Sequence, residues 1–285
     1  DNMNSKKYGY YRIRAAVLKA LSFVFKAVMA VFFLFPFYWM VTTAFKTYGE
    51  SILFPPTLWP ETWTMDAFRD VGQRIDILYY LKNSVIVAVS VVVLQLFINI
   101  PAAYGFARYE FRGKRFFWAL VMLAFMIPTQ ITFIPVYILF SKVRLLKTLW
   151  PQILPFAANA YGIFLMRQSF MQVPEELVEA ARMDNAGEFT IMTRIVLPMS
   201  RSSILTAEMF SFISTWNSYF WPLVMTNSDK IRPVTLAMQR LQDANQGLEW
   251  PILMAANTLV VLPVLVLFLA LSSQILKSLG YKGSK

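Results

Sequence analysis

Residues 179–198, reading EAARMDNAGEFTIMTRIVLP, form a polar island between apolar blocks, and their side chains suit docking to a partner better than covalent chemistry. Pro174 fits the first position of a helix, and Glu175 and Glu176 follow it where acidic groups meet the positive end of the helix dipole. Leu177, Ala180 and Ala181 share one face at i, i+3, i+4 spacing, and the two alanines leave room for another backbone to approach. Asn185 stands where a left-handed residue would end this helix. Phe189, Met192 and Ile195 make a second apolar stripe, which Pro198 is expected to stop. Glu179 is the candidate for a charged contact with a partner. The competing reading is a local i, i+3 pair with Arg182, worth about 0.3 kcal/mol.

The elements that must hold this hairpin are apolar. The 285 residues are 57% hydrophobic with mean hydropathy +0.50. A helix needs about 20 mainly apolar residues to cross a bilayer. Six blocks qualify, roughly 24–45, 83–106, 116–140, 149–170, 202–226 and 251–276. Backbone groups in lipid must pair internally, so these blocks are expected to be helices. The net charge of +11 follows the membrane pattern rather than a nucleic-acid pattern. If both termini are cytoplasmic, the larger share of the 27 Lys and Arg residues falls on inner segments, with Lys142, Arg144 and Lys147 a local exception. Met3 reads as an initiator behind a remnant Asp1 and Asn2, and the first block reads as an uncleaved span.

Cysteine and histidine are both absent, which excludes disulfides, thiolate or imidazole metal sites, and Cys–His or Ser–His–Asp catalysis. No metal site is expected. Gly113-Lys114 lacks the upstream glycine of a nucleotide-binding loop, so this chain is not expected to hydrolyse ATP.

Polar residues inside the apolar blocks are the remaining candidates. Gln95 and Asn99 lie at i, i+4 in the second block, where helix–helix hydrogen bonding is the leading reading. Arg108, Arg112, Lys114 and Arg115 follow, with lipid phosphates as sufficient partners. Pro128, Pro135, Pro151 and Pro155 break the third and fourth blocks; Gln130 lies beside the first kink, and Asn159 and Tyr161 lie in the fourth block. Glu208 is a carboxyl group inside the fifth block, where charge is expensive and a functional or pairing role is the default. Trp216, Asn217 and Tyr219 cluster further along. Aromatic faces with amides and hydroxyls are what a sugar requires, although Trp and Tyr also belt membrane interfaces. Residues 46–79 read as an ordered interfacial loop, and 227–250 as a polar loop carrying an amphipathic run of Val234, Leu236, Met238 and Leu241.

The hairpin resembles the EAA loop of ABC importer permeases: Glu-Ala-Ala, three residues, Gly, nine residues, Ile, one residue, Leu-Pro. Glu179, Ala180, Ala181, Ile195, Leu197 and Pro198 match, and Asn185 replaces the glycine. The phrases AYGFARYEFRGKR, TWNSYFWPL and GYKG extend the likeness to the MalG-like carbohydrate branch, from about the first apolar block to the C-terminus. The resemblance implies an all-α integral membrane protein with six transmembrane helices and the MetI-like fold of type I importers, its EAA coupling helices cytoplasmic. It implies an N-terminal segment 1–23, a permease domain 24–277 with the EAA loop at 174–198, and a tail 278–285, in a bacterial cytoplasmic membrane with both termini inside. By resemblance the ATPase-coupling residues are Leu177, Glu179, Ala180, Ala181, Asp184, Asn185, Gly187, Ile195, Leu197 and Pro198. The substrate path would draw on Gln130, Asn159, Tyr161, Glu208, Trp216, Asn217 and Tyr219. Implied partners are a second, MalF-like permease, an ABC ATPase dimer that uses ATP and Mg, an extracytoplasmic solute-binding protein, a sugar substrate and membrane lipids; no nucleic acid and no cofactor of this chain's own are implied. A permease for another solute such as a glycerophosphodiester, an ion-driven carrier and an intramembrane enzyme are the alternatives.

Overall fold

The computed structural model describes residues 2–241 and 249–280, with side chains described for 17–241 and 249–272. The GYKG ending and most of the tail 278–285 therefore lie outside the described residues, as do the side chains of the basic head. All regular elements among the described residues are helical. In order they are α1 (Asn2–Ala44), α2 (Tyr48–Ser51), α3 (Asp66–Arg74), α4 (Ile77–Arg108), α5 (Lys114–Met126), α6 (Thr129–Lys142), α7 (Trp150–Ile153), α8 (Ala160–Phe170), α9 (Glu175–Met183), α10 (Glu188–Ile191), α11 (Leu197–Met199), α12 (Arg201–Trp216), α13 (Phe220–Met225), α14 (Val234–Ala237) and α15 (Trp250–Gly280). The chain divides into two compact units, Asp1–Arg74 with Gln242–Thr258, and Ile75–Leu241 with Leu259–Lys285.

Among the described residues three helices are individually long and apolar enough to cross a membrane: Val17–Ala44 of α1, α4 and Trp250–Ser272 of α15. The other apolar blocks are not continuous rods. Block 116–140 is built from α5 and α6, which meet at 98°. Pro128 causes the corner: Ile127 before it is held extended, and Pro128 itself caps α6. Block 149–170 is divided among α7, a 3-10 turn at Leu154–Phe156 and α8, with Pro151 and Pro155 at the starts of the first two. Block 202–226 is α12 and α13, separated at Asn217 to Tyr219. Pro36, Pro101, Pro135 and Pro263 are carried inside their helices without a break, so the break expected at Pro135 is corrected: only Pro128 divides the third block.

The stretch expected as a loop at 46–79 includes two helices, α2 and α3, and the start of α4, with a hydrogen-bonded loop between α2 and α3. The buried Glu50 carboxylate accepts hydrogen bonds from Thr57 Oγ1 (2.8 Å) and the Glu61 N–H (3.0 Å). Lys46 donates to the Thr57 carbonyl and lies 4.6 Å from the Trp39 ring centre, and Tyr38 Oη donates to the Leu58 carbonyl (2.8 Å).

The second unit is centred on α4, α8 and α12, which pack on one another. Their common core holds Ala103, Met166, Phe170, Val178, Ile191 and Val196. Gln95 and Asn99 are buried on α4 and join it to the broken block beside it: Gln95 Nε2 donates to the Phe156 carbonyl (2.7 Å), and the Asn159 N–H donates to Asn99 Oδ1 (3.1 Å). The helix–helix reading of this pair holds. Asn159 in turn caps α8 by accepting from the Gly162 N–H (3.1 Å). The close approach at this junction requires glycine, since a Cβ on Gly162 would stand 2.9 Å from Asn99 Nδ2. Gly162→Ala is therefore expected to push the Asn99 amide off the Asn159 N–H and lower stability by about 1–2 kcal/mol, read as an earlier thermal transition of the purified chain in detergent.

Candidate functional site

The hairpin at 174–198 is built in two halves. α9 runs from its N-cap at Pro174 to Met183, with Glu175 and Glu176 in the first turn. Asn185 is left-handed, with φ of 58°. Around it the Ala186 N–H reaches the Ala181 carbonyl (2.9 Å) and the Asn185 N–H reaches the Arg182 carbonyl (3.0 Å), the paired bonds of a Schellman ending. The helix stop expected at Asn185 is found there. The Asn185 side chain is exposed, so only its backbone angle is demanded.

The second half departs from a plain helix with a proline stop. α10 passes into a π-helical turn, Met192–Val196, and then α11, which contains Pro198. The wider turn accommodates the proline within a nearly continuous helical path, and the interruption falls at Ser200. The stripe also turns differently from expectation. Ile191 and Val196 are fully buried, Met192 and Ile195 are half-buried, and Phe189 is 74% exposed.

Four charged groups and a phenol anchor this hairpin to the end of α4. Arg108, whose side chain is only 5% exposed, donates to Glu175 and to the carbonyls of Phe170 (2.6 Å) and Val173 (2.6 Å) at the end of α8. A lipid-phosphate role for Arg108 is thus corrected: its fork is spent on the protein. Arg182 donates to Glu188 (2.8 Å) and lies 3.9 Å from Glu175. Tyr104 Oη donates to the other Glu188 oxygen (2.7 Å). The hydrogen bond from Arg182, with Tyr104 adding a second, holds the Glu188 carboxyl below the usual carboxylate range, and Glu188 raises Arg182 in return. Arg167 adds a staple, donating to the Phe106 carbonyl (3.1 Å) with its guanidinium 4.3 Å from the Trp118 ring centre.

Arg182 therefore does not pair with Glu179. Among the described residues Glu179 makes no salt bridge, and it lies on the exposed side of α9 with Leu177 and Ala180. Asp184, Asn185, Gly187 and Pro198 are exposed too, while Ala181, Ile195 and Leu197 are half-buried against the core. Met183 is 84% exposed. The hairpin consequently presents a mixed apolar and acidic face while its rear is fixed by Arg108, Tyr104 and Val178. Sequence reading missed this anchoring. The signal available was the acidic–basic alternation of Glu175, Arg182 and Glu188 opposite the basic end of α4.

A second feature lies further along α4 and α12. Two pockets of about 330 and 350 Å³ share Phe156, Ser214 and Thr215 in their walls. The first adds Gln130, Gln152, Ser218 and Tyr219, and the second adds Gln95, Asn159, Tyr161 and Ser211. The structure thus brings Gln130, Asn159, Tyr161 and Tyr219 to one cleft. Trp216, Asn217 and Glu208 are not in its walls. Trp216 is 2% exposed and stacks on Phe212 (5.7 Å). Glu208 is buried with both carboxyl oxygens unpartnered among the described residues. Gln152, Ser84 and Ser214 were not singled out from sequence, since isolated polar residues in apolar blocks give no facing information until the helix breaks are known.

The segment after α13 covers the far side of the first pocket. Asn83 Nδ2 donates to the carbonyls of Lys230 and Arg232 (both 3.0 Å), Ser84 Oγ accepts from the Val234 N–H (2.8 Å), and Gln152 Nε2 donates to the Ile231 carbonyl (2.9 Å). Val234, Leu236 and Leu241 of the amphipathic run are buried. Asp229 bridges Arg232 (3.0 Å) and Arg240 (2.6 Å), and the bond from Arg240 keeps its carboxyl below the usual range.

Together these features define a helical membrane protein with a hairpin whose far face is left exposed and polar pockets among broken helices. Residues 95–279 match the family described as binding-protein-dependent transport system inner membrane component. The chain belongs to that family. It is 32% identical to the probable ABC transporter permease protein YurM of Bacillus subtilis, across 86% of this chain and 82% of that one. It is 29% identical to the arabinooligosaccharides transport system permease protein AraQ of Halalkalibacterium halodurans, across 94% and 96% of the two chains. UgpE of Brucella abortus, an sn-glycerol-3-phosphate transport system permease protein, is also 29% identical, across 86% of this chain and 90% of that one. The fold is shared with a chain in the crystal structure of a bacterial ABC transporter that imports the acidic polysaccharide alginate, with TM-score 0.79 and 20% identity, covering 90% of this chain and 96% of that chain.

Three outcomes follow from the anchoring. Arg108→Ala is expected to cost about 2–4 kcal/mol, because buried carbonyls and Glu175 lose a charged donor, and Arg108→Lys recovers only part, lacking the fork. Faster protease cutting within 174–198 reads both. Asn185→Gly is expected to be neutral or slightly stabilising and Asn185→Val to lose about 1–2 kcal/mol by the same assay. Because the Glu188 carboxyl is depressed on folding, its pairing contributes fully above the ordinary value of 4.5 and is lost as pH falls through the lower folded value. Cutting in the hairpin is therefore expected to rise below about pH 4 and to be unchanged between about pH 6 and 8.

Proposed function

We propose that this chain is the non-catalytic permease subunit of an ATP-driven, solute-binding-protein-dependent carbohydrate importer, forming one half of its translocation pathway. Family membership supplies the class, and the outward face of the hairpin is the observation that carries the reading. Glu179 without an internal partner, beside exposed Leu177, Ala180, Met183 and Phe189, is a face left over after the protein's own packing is complete. A short helix with a small-residue face and a single charge suits a groove on a soluble protein. The occupant in this reading is an ABC ATPase dimer, which binds and hydrolyses ATP with Mg; this chain binds neither. A second permease completes the pathway, and an external binding protein delivers the solute. In this arrangement the hairpin is cytoplasmic, both termini are inside, and the segments at 46–65 and 226–241 face outward.

The residues proposed for coupling are Leu177, Glu179, Ala180, Ala181, Asp184, Asn185, Gly187, Ile195, Leu197 and Pro198. They divide by burial. Ala181, Ile195 and Leu197 shape the hairpin from behind, and Leu177, Glu179 and Ala180 are the ones placed to touch a partner. The carbohydrate assignment draws on AraQ as a relative and on the aromatic and amide character of the cleft. A glycerophosphate or glycerophosphodiester substrate is the second reading, drawn from UgpE.

Glu179→Lys and Ala180→Trp are expected to leave the chain folded and inserted, since both side chains are exposed, while cutting solute-stimulated ATP hydrolysis and uptake at least about 10-fold in the reconstituted transporter. Wild-type uptake by both variants would remove the hairpin from the coupling path.

A further inference from the structure

Two of the three helix breaks in the second unit, those before α8 and after α12, line the two adjoining pockets. Phe156 and Asn159 flank the break before α8, and Ser218 and Tyr219 form the break after α12. Irregular backbone at membrane depth is tolerated where it lines a cavity or is buried in protein, because its freed groups need polar partners. Here part of that need is met by Gln95 on the Phe156 carbonyl and by Thr235 Oγ1 on the Ser218 carbonyl (2.8 Å). Gln130, Ser214 and Thr215 face the two pockets with no side-chain bond to another side chain, and aromatic faces stand beside them at Phe156, Tyr161 and Tyr219. Neutral donors and acceptors combined with ring faces match the hydroxyls and CH faces of a glycosyl unit.

What the walls lack is equally informative. Among the described residues no Lys or Arg lines either pocket. Of the cations of the covering segment, Arg232 and Arg240 are engaged by Asp229, and Lys230 is exposed and outside the pocket walls. The one ionisable carboxyl group in this part of α12, Glu208, lies on the Ser211 and Thr215 stripe and brings no positive charge in either protonation state. A phosphate or uronate placed in this cleft would leave its charge unpaired in a medium of low dielectric, which is costly.

We propose that the two adjoining pockets form this chain's own subsite for an uncharged glycosyl unit, so that this half of the pathway selects neutral over anionic carbohydrate. The inference rests on the reading of the chain as a carbohydrate permease and adds that this subunit touches the sugar. It sets this chain apart from relatives named for glycerol 3-phosphate and from the alginate importer.

The complete transporter in proteoliposomes tests it, with a panel of neutral pentose and hexose oligosaccharides, their uronate counterparts and glycerol 3-phosphate as probes. Neutral oligosaccharide is expected to enter at least about 10-fold faster than either anionic class at equal concentration. Gln130→Ala and Ser214→Ala are each expected to raise the KM for the neutral sugar about 3- to 10-fold. Equal uptake of neutral and acidic sugars overturns the charge selection. An unchanged KM in both variants, with neutral uptake intact, overturns the subsite and leaves the permease reading standing. Uptake of none of the probe sugars, with the ATPase coupled and active, overturns the carbohydrate reading and the subsite with it.

Discussion

Backbone satisfaction in lipid is the constraint on which the second unit depends. A continuous helix meets it alone, and α4 does so except at Pro101, which has no N–H to offer the Phe97 carbonyl. The blocks beside it do not. The break before α8 releases a carbonyl and an N–H group that amides of α4 receive, and the segment after α13 offers a carbonyl that an amide of α7 receives. Gln95 holds the Phe156 carbonyl, Asn99 holds the Asn159 N–H, and Gln152 holds the Ile231 carbonyl. Each of these amides is buried. Replacing one with an apolar residue of equal size would strand a backbone group, which costs more than the bond itself contributes. The polar residues of the apolar blocks are thus first a structural requirement of broken helices, and the cleft is what the breaks make possible.

The hairpin solves a different problem. It lies outside the apolar blocks, so no lipid forces its shape, and a nine-residue helix is too short to persist by propensity alone. Its order comes from Arg108, which gathers the end of α8 and the start of α9 onto the last turn of α4, and from Val178, Ile191 and Val196, which fill the core beneath it. With the rear so fixed, the exposed Glu179, Ala180 and Met183 are held in a defined orientation without being used by the chain itself.

How much of this could be read from residue order varies with the range of the interaction. The hairpin, its first helix and the left-handed Asn185 were legible because they are local: proline, acidic first turn, alanine spacing and a turn residue all fall within a dozen positions. The apolar blocks were legible from composition and the breaks at Pro128, Pro151 and Pro155 from proline, but Pro36, Pro101, Pro135 and Pro263 sit inside unbroken helices and the break at Asn217 to Tyr219 carries no proline. Proline alone does not distinguish the two cases; the packing around it does. Gln95 and Asn99 could be assigned to an inward face, but not to their carbonyl and N–H partners about 60 residues away. Trp216 illustrates the converse error. An aromatic beside Asn217 and Tyr219 looks like a ligand platform, yet its indole is enclosed on Phe212 and only Tyr219 reaches the cleft.

The two features share a single beam. Arg108 ends α4 and grips the hairpin; Gln95, thirteen residues or about 20 Å earlier, lies in the cleft wall and holds the break before α8. α8 is gripped at both ends as well, by Asn99 and Asn159 at its start and by Arg108 at its last carbonyl. A force that tilts α9 is therefore delivered to the ends of α4 and α8 rather than dissipated in a loop. Phe156 and Asn159 stand in the same pocket wall as Gln95, so the hairpin and the cavity are attached to the same two helices, α4 and α8.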